Sequence, residues 1–177
     1  MGREELRITG SGGQGVILAT IILSDIALQT GKSVAQTQAY GPEARGGLCK
    51  AEVIISDSKI GFTKVTNPTL LLALTQSSLD EFGKKIDENC ILVADSSLNV
   101  PEGIKYKKLY QYPILQTAKE KVGKSFTANI VAVGLLNEIL GLASIDTVKE
   151  TVLRYIPKGT EEINYKALEE GIKLFKK

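Results

Sequence analysis

The tightest constraint on the fold of this chain is a run of glycines set between an extended stretch and an apolar helix pattern. Residues 4–9 place Leu6 and Ile8 on one side of an extended segment that stops at Gly10-Ser11-Gly12-Gly13-Gln14-Gly15, as a strand entering a tight turn does. After Gly15, Val16, Ala19, Leu23 and Ala27 recur at helical spacing, widened by Ile17, Ile21 and Leu28. A helix this apolar lies against a sheet, and Gly31 is placed to end it in the left-handed conformation.

The same alternation continues along the chain. Residues 33–38 and 51–56 read as short strands, with the glycine-rich loop 40–47 between them. Residues 70–75 and 91–94 are continuous apolar runs, the pattern of parallel strands buried on both faces, and a polar helix is expected between them at 77–85. Residues 127–140 are apolar almost all round and stop at Gly141, so they predict a buried helix. Ser144 and Thr160 are expected to cap two more helices, separated by Pro157 and Gly159. In the last of these, Tyr165, Leu168, Ile172 and Phe175 form a stripe able to dock on the rest. The expected architecture is α/β: one Rossmann-like domain over residues 1–177, a mainly parallel sheet flanked by helices, with right-handed crossovers.

Composition excludes several classes of function. The chain has 22 basic and 20 acidic residues, which gives no global field to draw it to nucleic acid or to a membrane. Its basic clusters, Lys105, Lys107 and Lys108 and then Lys173, Lys176 and Lys177, read as a solvated edge strand and a helix end. Cys49 and Cys90 stand alone, without CxxC spacing and without any histidine, so no zinc or iron-sulfur ligand set exists and no metal site is expected. Isolated thiols, and the lack of an apolar leader in residues 1–9, point to the cytoplasm. The absence of histidine also removes every Ser-His or Cys-His nucleophile, so no catalytic residue is assigned to this chain alone.

Gly10, Gly12 and Gly15 satisfy GxGxxG in the expected setting, after a strand and opening a helix. The first glycine would permit the turn, the second a close approach by ligand or backbone, and the third tight helix packing, while the helix start would favour an anion. Dinucleotide binding also needs an acid at the end of strand two, where this chain has Gln36-Thr37-Gln38. That argues against NAD or flavin and leaves two readings open: a phosphate contact, or a turn needed only for packing. GxxxxGK[ST] is absent from the first strand, so this is not a P-loop.

A second loop, Tyr40-Gly41-Pro42-Glu43-Ala44-Arg45-Gly46-Gly47, sets an aromatic, a carboxylate and an arginine among backbone-shaping residues. Both loops should emerge at the carboxyl edge of the sheet, where ligands of open α/β sheets bind. The planar fork of Arg45 suits a phosphate or carboxylate, and it suits equally a pairing with Glu43 or a partner chain.

With both loops in view, the sequence resembles the gamma subunit, or fused gamma domain, of the 2-oxoacid:ferredoxin oxidoreductases. The resemblance rests on GSGGQGVILA at 10–19, QTQAYGPEARGG at 36–47, KAEVIISD at 50–57 and TANIVAVG at 127–134. Gamma chains of pyruvate enzymes tend toward a loop like FGAERRGAP, whereas the 2-oxoglutarate type looks like QTQ-x-YGPEARGG, as here. Asn67-Pro68-Thr69 departs from relatives that carry an aspartate after the proline.

The resemblance implies a reaction in which a 2-oxoacid and coenzyme A give acyl-CoA, carbon dioxide and reduced ferredoxin. It implies alpha, beta and ferredoxin-like delta partner subunits, with thiamine diphosphate, magnesium and iron-sulfur clusters held by those partners, and ferredoxin met through the complex. Gly10, Gly12, Gly13, Gln14 and Gly15, with Tyr40, Gly41, Glu43, Arg45 and Gly46, are then the candidate coenzyme A or interface loops. A stand-alone nucleotide- or CoA-binding module is the alternative. An NAD-dependent dehydrogenase would need a substrate domain for which 177 residues leave little room.

Overall fold

The computed structural model describes residues 2–40 and 47–176; the side chains of Ala39 and Tyr40 also lie outside the described residues. Its strands are β1 (Arg3–Ser11), β2 (Ser33–Tyr40), β3 (Leu48–Ser56), β4 (Leu70–Ala73), β5 (Ile91–Asp95) and β6 (Lys108–Tyr112). They form one sheet in the order β2-β3-β1-β4-β5-β6. The pairings of β1 with β4, β4 with β5 and β5 with β6 are parallel. β3 lies between β1 and β2 and is antiparallel to both, with Leu6 opposite Val53 and Val34 opposite Ile55. The sheet is therefore mainly parallel as expected, with one reversed strand. The cause is local: only seven residues, 41–47, separate β2 from β3, too few for a crossover helix, and antiparallel neighbours need none between them.

Alternation along the strands sorts the core into two layers. Leu6, Ile8, Val53, Ile55, Leu70, Leu72 and Val93 face the larger layer. It is built by α1 (Val16–Gln29), α4 (Ala128–Leu140), α5 (Ile145–Tyr155) and α6 (Glu161–Phe175). Leu71, Ala73, Leu92 and Ala94 face a smaller one with Leu79 of α2 (Gln76–Phe82). That second face also buries a charge pair, Arg7 Nε donating to Glu52 Oε1 at 2.7 Å across the β1–β3 register. Both residues are buried, and Lys50 Nζ adds a second cation to the same oxygen at 3.2 Å. Removing one partner of such a pair strands a buried charge, at a cost of about 3–5 kcal/mol.

Several expectations are corrected in detail. In α1 the buried face runs through Val16, Ala19, Ile22, Leu23, Ile26 and Ala27, whereas Leu28 is exposed. Leu28 shares with Ile17 and Ile21 a flank roughly 100° or more from that face, on a helix turning about 100° per residue. Ser144 does cap α5, its Oγ accepting the Thr147 N–H at 3.3 Å. Thr160 holds the cap position of α6, but its hydroxyl donates to the Pro157 carbonyl instead. No side chain caps α6; the backbone N–H groups of Glu161 and Gly159 hold the Glu161 carboxyl at its start below the usual carboxylate range. On α6, Leu168 and Ile172 are buried as expected. The closest approach falls at Gly171, where a Cβ would lie 2.1 Å from the Val131 carbonyl oxygen, and its counterpart on α4 is Gly134. The glycine that ends the 127–134 motif is thus a helix-crossing residue.

Residues 114–122, not read as an element from the sequence, form a short helix α3 (Ile114–Gln116) continued by a π-helical turn (Thr117–Val122) that ends at Gly123. Among the described residues no helix is long and apolar enough to cross a membrane.

Candidate functional site

Five strands run in one direction, so the carboxyl ends of β1, β2, β4, β5 and β6 share an edge with the start of β3. Both glycine segments emerge there. Ser11, the last residue of β1, pairs with Leu48, and Tyr40 pairs with Cys49. The two segments are tied directly, the Gly12 N–H donating to the Gly47 carbonyl at 2.9 Å. The close approach permitted by the second glycine is made, in this chain, by another backbone. Gly41, Glu43, Arg45 and Gly46, with the side chain of Tyr40, lie outside the described residues.

Within the first turn, Gly10 makes room for a side chain. A Cβ there would stand 2.5 Å from Gln14 Oε1, and that oxygen accepts the Ser11 N–H at 2.8 Å while the Gln14 N–H donates to the Ser11 carbonyl at 3.2 Å. Gln14 therefore braces the turn from inside. Gly13 and Gly15 both take positive φ, and Gly15 caps α1 in the left-handed conformation with no side-chain cap. Gly15 packs against α4 rather than a strand, since its Cβ would lie 2.5 Å from Asn129 Nδ2. Without Cβ atoms at positions 10 and 15, Gln14 and Asn129 close on the turn, and the first N–H groups of α1 stay uncapped at its rim.

Beside the turn lies a cleft of about 460 Å³ lined by Gln14, Leu115, Gln116, Lys119, Glu120, Ser125 and Ala128. Its far wall is α3 and the π turn, and Asp95 at the end of β5 anchors that wall. Asp95 is 2% exposed and accepts the Leu115 N–H at 2.8 Å and the Ser97 N–H at 3.0 Å. Sequence reading missed this anchor, although an acid directly after a buried strand run was its signal. π turns are uncommon and recur at functional sites because the widened turn re-aims side chains, here Lys119 and Glu120.

The thiols do not contribute reactive groups. Cys49, opposite both Gly10 and Tyr40, is 5% exposed and burial raises its pKa; Cys90 is fully buried and pushed up to about 12 by desolvation. Neither is a nucleophile at neutral pH. Among the described residues no group of three or more His, Cys, Asp or Glu side chains could hold a metal ion. The edge offers uncapped backbone N–H groups, a lysine and carboxamides, which suit holding an anionic or amide-bearing cosubstrate rather than acid-base chemistry.

The model of the family described as pyruvate ferredoxin/flavodoxin oxidoreductase matches residues 5–174. The 2-oxoglutarate synthase subunit KorC of Methanocaldococcus jannaschii is 39% identical over 98% of this chain and 95% of its own length. Among solved structures, the gamma subunit of a keto/oxoacid ferredoxin oxidoreductase from Geobacter sulfurreducens superposes with a TM-score of 0.86 at 39% identity, covering 98% of this chain and 97% of that one. The 2-oxoglutarate:ferredoxin oxidoreductase of Magnetococcus marinus, solved with 2-oxoglutarate, coenzyme A and succinyl-CoA bound, shares the fold at a TM-score of 0.85 and 24% identity. There the match covers 99% of this chain but 31% of the longer one.

Proposed function

This chain belongs to the pyruvate ferredoxin/flavodoxin oxidoreductase family, and from that premise we propose that it is the gamma subunit of a 2-oxoglutarate:ferredoxin oxidoreductase. The observation that carries the reading is its near end-to-end likeness to KorC, at 39% identity over 95% of that subunit's length. The reaction joins 2-oxoglutarate to coenzyme A, releases carbon dioxide as the C1 carboxylate leaves, and passes two electrons to ferredoxin with succinyl-CoA as product. Thiamine diphosphate with magnesium, in partner alpha and beta subunits, supplies the decarboxylation chemistry, and iron-sulfur clusters in beta and delta subunits carry the electrons. This chain has two cysteines and no histidine, too few donors for a cluster of its own.

The chain's own part is to hold coenzyme A and to dock on the larger subunits. Gly12, Gly13, Gln14 and Gly15 shape a turn whose uncapped N–H groups suit a phosphate, and Lys119 in the neighbouring cleft is a cation within the same edge. Arg45, in the loop that leads into Gly47, is assigned to the same face, as a fork for an anionic group of coenzyme A or for the alpha subunit.

Assembly with the partner subunits, followed by assays of 2-oxoglutarate, pyruvate and branched oxoacids with coenzyme A and ferredoxin, tests the substrate. Preference for an oxoacid other than 2-oxoglutarate refutes that assignment. Arg45→Ala is expected to raise the KM for coenzyme A about tenfold, or to weaken assembly, by losing a charged hydrogen bond of about 1.5–3 kcal/mol. Unchanged CoA kinetics together with unchanged assembly on size-exclusion chromatography would remove Arg45 from the site.

A further inference from the structure

The two edges of the sheet are built differently. β6 is short, begins at Lys108 and follows Lys105 and Lys107, so lysines guard it against further pairing. β2, at the other end of the strand order, is longer, and its residues 33–38, Ser-Val-Ala-Gln-Thr-Gln, carry neither a charge nor a proline. Its register with β3 runs unbroken from Ser33 opposite Ser56 to Tyr40 opposite Cys49, so no bulge turns this edge away either. An uncharged edge without such devices is a template for another strand.

Beside that edge, α1 leaves one flank open. Leu28 is 54% exposed, and with Ile21, Ser24 and Gln36 it lines a cleft of about 190 Å³ between α1 and β2. Gln36 Nε2 donates to Thr20 Oγ1 at 3.4 Å, so Gln36 lies on the face of β2 that carries α1. Ser24 is 8% exposed and its hydroxyl meets no hydrogen-bond partner among the described residues. The other buried side-chain oxygen in that condition, Glu5 Oε2, belongs to a carboxylate already paired with Arg3. A buried hydroxyl is ordinarily satisfied, so one left without a partner at a cleft marks a place for an incoming polar group.

We propose that β2 is the seat of a second copy of this chain, paired antiparallel across a two-fold axis at Gln36 so that the two sheets become one. The spacing selects a second copy over an unrelated strand. α1 packs on both β2 and β3. With strands about 4.8 Å apart, two such helices related by the axis stand two spacings, or about 10 Å, from each other, which is the distance at which helices pack. The axis thus sets Ile21 and Leu28 of one copy against the same flank of the other, and each copy closes the other's cleft. Charge agrees. The uncharged strand meets itself without like charges opposed, and the acid of the cleft, Asp25, is already held by Arg154 at 3.4 Å and by the Tyr155 hydroxyl at 3.1 Å. The two Gln36 carboxamides, side by side on the axis, offer donors and acceptors to each other and to the Ser24 hydroxyls. Such an interface is self-complementary and closed, so pairing stops at two. It uses neither the glycine turn nor the cleft of Lys119, and so stands apart from the reading of the preceding section.

Light scattering and sedimentation equilibrium of the full chain test it. A dimer that dissociates on dilution is expected. Gln36→Lys opposes two ammonium groups on the axis and Leu28→Lys buries one at the helix contact; each should raise the dimer dissociation constant about tenfold or more while circular dichroism stays that of the parent. Gln36→Cys should form an interchain disulfide on mild oxidation, because directly opposed Cβ atoms stand about 4.5–5.5 Å apart, whereas Ser33→Cys, away from the axis, should not. If Gln36→Lys fails to fold, Leu28→Lys and the two cysteine variants decide. A chain that stays monomeric at its highest soluble concentration overturns the proposal, as does a dimer that both lysine variants leave intact. Crosslinking through Ser33→Cys alone would overturn the register. A monomer whose Gln36→Lys variant no longer joins the partner subunits likewise overturns the proposal and gives the edge to one of them.

Discussion

Cys90 has no exposed surface, and desolvation pushes its pKa from an ordinary value near 9 up to about 12. Because the folded state holds the proton more tightly than the unfolded chain, the thiol's contribution to stability is complete below about pH 9 and is lost as pH rises toward 12. Unfolding free energy measured by denaturant titration is therefore expected to fall between pH 9 and 12, and Cys90→Ala should flatten that fall. An unchanged slope in the variant would show that Cys90 does not titrate in this way. Single-residue chemistry was partly legible beforehand. The glycine turn showed as a motif, and both isolated cysteines are free thiols in the fold. The bracing by Gln14 and the seat of Asn129 on Gly15 were not legible, because they depend on where side chains meet across turn and helix.

The tightest helix contact is the crossing of α4 with α6, where Gly134 and Gly171 let the backbones meet. A Cβ at Gly171 would stand 2.1 Å from the Val131 carbonyl oxygen, and one at Gly134 2.4 Å from that of Leu168. Backbone on both sides leaves no flexible side chain to give way. Gly171→Ala should cost about 2–3 kcal/mol by overpacking, and so lower the melting temperature by about 4–12 °C for a chain of this size. A melting temperature within a degree of the parent would show that the helices can part at little cost. Elements were legible where the pattern was strong, as in the apolar runs of β4 and β5 and the glycine-ended helices α1 and α4. The direction of β3 was not, because its apolar run AEVIIS suits either direction and only the short separation of seven residues from β2 marks it as reversed. The π turn escaped because its lysine-rich sequence has neither helical nor alternating apolar spacing.

At the scale of the whole molecule, the reversed β3 matters most. In the dinucleotide-binding arrangement the strand after the first helix lies beside β1, so an acid at its end reaches the ribose. Here β3 stands between them, which moves the end of β2 two strand spacings, or about 10 Å, from the glycine turn, and that end carries Gln38 instead of an acid. The edge is consequently organised around the glycine turn, its bond to Gly47 before β3, and the cleft walled by α3. Oxidising a 2-oxoacid requires a group that accepts an electron pair. A chain whose two cysteines are both buried, and which has no histidine, supplies neither a redox carrier nor a neutral-pH base. The purified chain alone is therefore expected to show no reduction of ferredoxin with 2-oxoglutarate and coenzyme A, and addition of its partner subunits should establish turnover. Steady ferredoxin reduction by the isolated chain would contradict the division of labour argued here. Turnover by the partner subunits alone, with an unchanged KM for coenzyme A, would show that the glycine edge serves some other purpose.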